Sequence, residues 1–341
     1  MATDDRSDGL QIPATPRQGT EQEDVANLPE LPAVSPPSTS FFVQLFLVPA
    51  LIVFGIMLVW FLFGKIAGSN RSAEEYLAII QSDRQDRWKA AHDLSYLLQE
   101  GSAHRKDKEL ALRISNALQQ GLSAKPPADP QYLEYMAGAV GKFDLPTGAA
   151  ALRLAAKPDQ PTPVRRAALL SLADLAFRIS DLQDPNVLLD VRDYLSDENV
   201  EIRELAAFTL GQLKDPKATD ALIKSLSDPV PTVRYNAACS LASLKSDAAM
   251  AVYVEMLNEQ DLAKSFVLSD QGKEFVDQRV VLATLQSALR SLQKVQEAVP
   301  NADFSRVLPS VKALENSENP AVRHLAKELL LKLDARSKSP S

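Results

Sequence analysis

Along residues 84–335 the apolar positions recur in a helical rhythm, and the rhythm itself repeats. In RYNAACSLASL, from Arg234, small or apolar side chains stand 3, 4, 7 and 10 residues after the arginine, which is one face of an amphipathic helix. The same spacing returns in RWKAAHDLSYL from Arg87, RRAALLSLADL from Arg165, RELAAFTLGQL from Arg203 and RHLAKELLLKL from Arg323. Two divergent copies complete the series: LEYMAGAVGKF from Leu133, which lacks the arginine, and RVVLATLQSAL from Arg279. The anchor residues are 46, 32, 38, 31, 45 and 44 apart, periods that fit one helix pair per copy. Most copies are followed by a second amphipathic run, such as PNVLLDVRDYL (185–195), PKATDALIKSL (216–226) and AAMAVYVEMLN (248–258). Asp184-Pro185, Asp215-Pro216 and Asp228-Pro229 fall between runs, where a helix start tolerates proline. Apolar alternation of strand type is absent. The pattern predicts an all-α stack of six helix hairpins closed by a terminal helix over 319–335.

The pattern changes towards the N-terminus. From Phe41 to Gly64 the chain runs for 24 residues without a charge, enough rise to cross a hydrocarbon core of about 30 Å. A buried core helix rarely stays charge-free so long, and a cleaved signal peptide needs a basic leader and a shorter apolar run. Residues 41–66 are therefore expected to form a transmembrane helix, with Phe41, Phe42, Trp60, Phe61 and Phe63 towards its ends. Ser72 and Glu75 then stand in the spacing of a capping box, so a juxtamembrane helix is expected within 67–83. Residues 1–40 hold seven acidic and two basic residues, six prolines and no aromatic, the composition of a disordered tail. Its PxxP spacings, Pro13 to Pro16 and Pro29 to Pro32, are the kind that arise by chance in such a segment. Residues 336–341 are expected to be a disordered C-terminus.

Charge sharpens the picture. Lys65 and Arg71 follow the apolar span closely, whereas no Lys or Arg lies within about 20 residues upstream, which places the repeats on the cytoplasmic side. Removing the tail's −5 and Lys65 from the chain's net −7 leaves −3 for residues 66–341, and the second helices are sparsely basic. No nucleic-acid partner is expected. The single cysteine, Cys239, excludes an internal disulfide.

The repeats resemble the short HEAT-like repeats of the PBS-lyase type, whose first helix follows D-x-x-x-x-V-R-x-x-A-A-x-x-L-x-x-L. The match is strong at Asp159–Leu175, Asp197–Leu213 and Asp228–Leu244, where Asp precedes Arg by six residues. It weakens at the ends, where Gln81, Lys273 and Ser317 fill the Asp slot. The resemblance implies a right-handed α-solenoid with second helices on its concave side. It also raises a chromophore lyase or cofactor-assembly factor as the alternative to a non-catalytic scaffold. In the repeats themselves, Arg87, Arg165, Arg203, Arg234 and Arg323 read as structural, each within reach of an Asp at an inter-repeat turn, while the alanines let helices approach closely.

Candidate chemistry is sparse. G-x-S-x-G, H-E-x-x-H, the P-loop, G-x-G-x-x-G and paired cysteines are all missing from the sequence, so no enzyme activity and no metal or cofactor is expected. His92, His104 and His324 fall on predicted repeat helices without ligand spacing. Two features exceed what stacking requires. Helix 248–258 carries Ala248, Met250, Ala251 and Met256 where its neighbour 31 residues earlier has Lys217, Thr219, Asp220 and Ser225. An insertion of about 14 residues within 261–277 then brings Phe266 and Phe275. Met250, Tyr253, Met256, Phe266 and Phe275 are the expected partner-binding residues, unless the insertion folds back over the apolar helix.

Overall fold

The computed structural model describes residues 40, 43–67, 71–82, 84–179, 182–270 and 273–338. The tail expected over 1–40, with both PxxP spacings, lies outside the described residues apart from Ser40, as do 339–341. The chain forms two compact units, Met1–Asn70 and Arg71–Ser341.

In the first unit a π-helical turn, Val43–Leu47, leads into α1 (Val48–Ala67). Pro49 in the first turn of α1 has no amide hydrogen to donate, and the widened turn falls just before it. Val43–Phe61 is long and apolar enough to cross a membrane, and none of it is buried.

The second unit is helical apart from one small hairpin. Its first helix, α2 (Ala73–Ile80), starts at the anticipated capping box: Glu75 N donates to Ser72 Oγ at 3.2 Å and Ser72 N to Glu75 Oε2 at 2.9 Å. α2 packs on the first repeat and buries Leu77 and Ile80, so it closes that end of the core.

Six helix pairs follow. They are α3 (Arg87–Leu97) with α4 (Lys108–Ser123), α5 (Pro130–Val140) with α6 (Ala149–Ala155), and α7 (Thr162–Arg178) with α8 (Pro185–Asp193). Next come α9 (Val200–Leu213) with α10 (Thr219–Ser225), and α11 (Pro231–Ser243) with α12 (Met250–Met256). The sixth pair is α14 (Gln278–Ala298) with α15 (Leu308–Ala313), and α16 (Pro320–Lys338) ends the stack. Each first helix packs on the next in an unbroken row from α3 to α16. This is an α-solenoid.

Alanine and leucine at the predicted face positions build its core: Ala206, Ala207, Leu210, Ala237, Ala238 and Leu241 are all fully buried. Close approach is enforced by a second regularity. A hydroxyl six residues after the anchor donates to the preceding first helix: Ser171 Oγ to Ala137 O at 3.0 Å, Thr209 Oγ1 to Leu169 O at 3.2 Å and Ser240 Oγ to Ala207 O at 2.7 Å. Gly211 faces Ser240 so tightly that a Cβ there would lie 2.9 Å from the Ser240 Cα.

The 261–277 insertion is folded. It begins within α13 (Glu259–Ser265) and continues as an antiparallel hairpin, β1 (Val267–Asp270) with β2 (Lys273–Val276). These strands were not expected from the sequence, since four-residue strands are too short for alternation to register. His104 lies in a 3-10 turn, Ala103–Lys106, instead of on a repeat helix.

Candidate functional site

The arginines sort by what the next repeat offers them. Arg165 Nη2 reaches Asp197 Oδ2 at 2.5 Å, and Arg203 grips Asp228 with Nε at 2.8 Å and Nη2 at 3.2 Å. In each case the aspartate belongs to the following repeat. The same turn serves its own repeat, because Arg203 Nη1 donates to Asp197 O and Glu198 O. Asp197 and Asp228 also cap their turns, accepting from Asn199 N and Val230 N at 2.9 Å. Burial pushes both carboxyls up, but the guanidinium and the amide outweigh it and hold them below the usual carboxylate range.

The ladder stops where the aspartate stops. The repeat after Arg234 has Lys273 in that slot, and Arg234 turns to Glu255 of its own α12, which also accepts from Tyr235 Oη at 3.0 Å. Arg87 lies 4.1 Å over the Tyr132 ring. Arg323 donates to Ser317 O at 2.5 Å.

The expected partner-binding residues do not form one surface. Tyr253 and Met256 are core residues, the tyrosine fully buried with its hydroxyl donating to Ala238 O at 2.7 Å. They are therefore corrected from surface to core: α12 is packed against both α13 and α14, so its apolar face is covered. Met250 is half-buried against the same core. Phe266 is half-buried where the insertion meets the stack. Phe275 stands in β2 opposite Leu268, and its side chain lies outside the described residues.

A different surface emerges on the first helices. Five residues after the anchor stand Leu170 in α7, Phe208 in α9, Cys239 in α11 and Thr284 in α14, one register through four consecutive repeats. Leu170 and Phe208 are exposed to 43% and 37%, high for large apolar side chains in matching positions. Cys239 and Thr284 line an apolar groove of about 440 Å³, walled by Tyr235, Val280 and Phe266, with Met256 at its base. Burial pushes the Cys239 thiol up, the reverse of a reactive thiolate. Exposed apolar residues on second helices lack such a register: Leu189 stands four residues after its leading proline and Ile223 seven.

On α3 the same slot holds His92, whose ring meets Tyr96 and Tyr135 edge-on at 4.9 and 5.1 Å, while Trp88 stacks on Tyr135 at 5.7 Å. The histidine is thus occupied by aromatic packing. Among the described residues no group of three His, Cys, Asp or Glu side chains gathers as a metal site. The sequence holds the register itself, five residues after each anchor, but not the exposure of Leu170 and Phe208.

A family profile of HEAT repeats matches residues 188–264, from within α8 into α13. Residues 188–264 of the α-solenoid thus match HEAT repeats. No curated protein sequence matches the chain. Solved structures similar to it include the CpcE–CpcF complex of phycocyanin lyase from Nostoc, 20% identical, covering 79% of this chain and 96% of that chain with a TM-score of 0.47. A designed armadillo repeat protein bound to a (KR)4 peptide is 16% identical, covering 77% and 99% with a TM-score of 0.40. Human deoxyhypusine hydroxylase is 16% identical, covering 80% and 99% with a TM-score of 0.30.

Proposed function

We propose that the chain is a single-pass membrane protein whose HEAT repeats act as a non-catalytic adaptor, binding protein partners through the exposed face of their first helices. The observation that carries this reading is the register-matched row Leu170, Phe208, Cys239 and Thr284, which runs into the apolar groove beside Phe266. Stacking does not require exposed apolar side chains such as Leu170 and Phe208, whereas a partner laid along the row gains their burial. The unburied apolar helix Val43–Phe61 supports the anchor. Lys65 and Arg71 favour a cytoplasmic repeat unit.

The test compares the full chain with a Leu170→Asp, Phe208→Asp variant after isolation from membranes. Both proteins are expected to resist alkaline extraction and to melt alike, and only the unsubstituted chain brings a stoichiometric protein with it. Equal partner recovery by the variant, or release of both by alkali, contradicts the proposal. Recovery of a pigment or organic cofactor in place of a protein moves the weight to the assembly-factor alternative.

A further inference from the structure

A second groove, of about 600 Å³, crosses the C-terminal ends of α7, α9, α11 and α14. Its floor is apolar: Phe177 is 77% exposed and stands beside Ala176, Ala242 and Ala298. Its rim is cationic, with Lys214, Lys245 and Lys294. Among the described residues none of the three has a carboxylate at ion-pair distance, and the groove's one acidic residue, Glu297, is engaged by Lys332 at 2.9 Å. The groove therefore offers unneutralised positive charge over an apolar base, in a repeat unit whose overall balance is acidic.

Two of these lysines occupy the backbone position where lysine is least expected. Lys214 and Lys245 have φ of 51° and 61°, at equivalent helix ends 31 residues apart. Schellman-type bonds close both ends, Asp215 N to Leu210 O at 3.4 Å and Ser246 N to Leu241 O at 2.9 Å. Glycine avoids the steric cost of that conformation, and a cation at a helix C-terminus recovers only part of it. Fold stability alone thus favours glycine at both sites, and the repeated lysine needs another reason.

We infer that this groove binds an acidic peptide segment of a partner protein, its carboxylates meeting Lys214, Lys245 and Lys294 while an apolar side chain packs on Phe177. The inference rests on the protein-binding reading above and names the chemistry of one partner. A bare anion leaves the apolar floor unused, and a bilayer surface does not follow a concave groove.

The experiment titrates the full chain in detergent with a fluorescein-labelled peptide alternating Asp and Glu with Leu and Phe. Saturable anisotropy that weakens with added salt is expected. Replacing all three lysines (Lys214→Asn, Lys245→Asn, Lys294→Gln), with asparagine chosen because it tolerates positive φ, raises Kd roughly tenfold. Phe177→Ser weakens binding independently while leaving the charges in place. Unchanged affinity in both variants overturns the proposal, as does a peptide that fails to bind. Lysine-dependent binding of phosphatidylserine vesicles without peptide binding also overturns it, in favour of a lipid surface. Failure here, with partner recovery still dependent on Leu170 and Phe208, discards the groove and leaves the adaptor reading standing.

Discussion

At the scale of single residues, Arg165 and Arg203 derive their worth from the aspartate six positions before the next anchor. Arg203 and Asp228 are 14% and 10% exposed, so removing the guanidinium strands a nearly buried carboxylate and frees two turn carbonyls. Arg203→Ala is expected to cost about 3 kcal/mol in urea unfolding. Arg234→Ala also frees two turn carbonyls, Asp228 O and Pro229 O, but is expected to cost about 1 kcal/mol less, because Glu255 is 35% exposed and rehydrates. Equal losses would refute the ladder. The Asp–Arg spacing was legible because both partners recur in sequence. The hydroxyls at Ser171, Thr209 and Ser240 recur as regularly, yet they sit at the edge of the apolar face, and a face-based reading passes over an edge position.

At the scale of elements, helix pairs, the capping box at Ser72 and the terminal helix all followed from local spacing. The wetness of α12 did not. Aligning it with α10 assumed equal surroundings, but α13, where the insertion begins, packs against it in addition to the next first helix, and no window on α12 contains that. Helix spacing itself yields a prediction with two opposed terms. Gly211→Ala gains about 1 kcal/mol of helix propensity but drives a methyl into Ser240 of α11. Overpacking wins, because the clash includes backbone at 2.9 Å, and the expected net loss is about 2 kcal/mol. Adding Ser240→Gly to Gly211→Ala removes the Cβ and hydroxyl contacts and leaves the one to Cα, so thermal melts should show partial recovery. A double variant less stable than either single one would show that packing is not the cause.

At the scale of the molecule, an apolar helix without burial and an α-solenoid with Leu170 and Phe208 exposed in one register belong to one chain. The solenoid class was readable from period alone, since a repeat that cannot bury its own face must stack. The row was less legible, because outwardness is a property of the assembled stack and not of any one helix. The most direct measurement of the central claim places a photocrosslinking amino acid at Phe208, on the row, or at Leu189, on a second helix, in the full chain within cells. The account predicts a discrete protein adduct from position 208 and none from position 189. Adducts from 189 alone, or identical adducts from both, would contradict it.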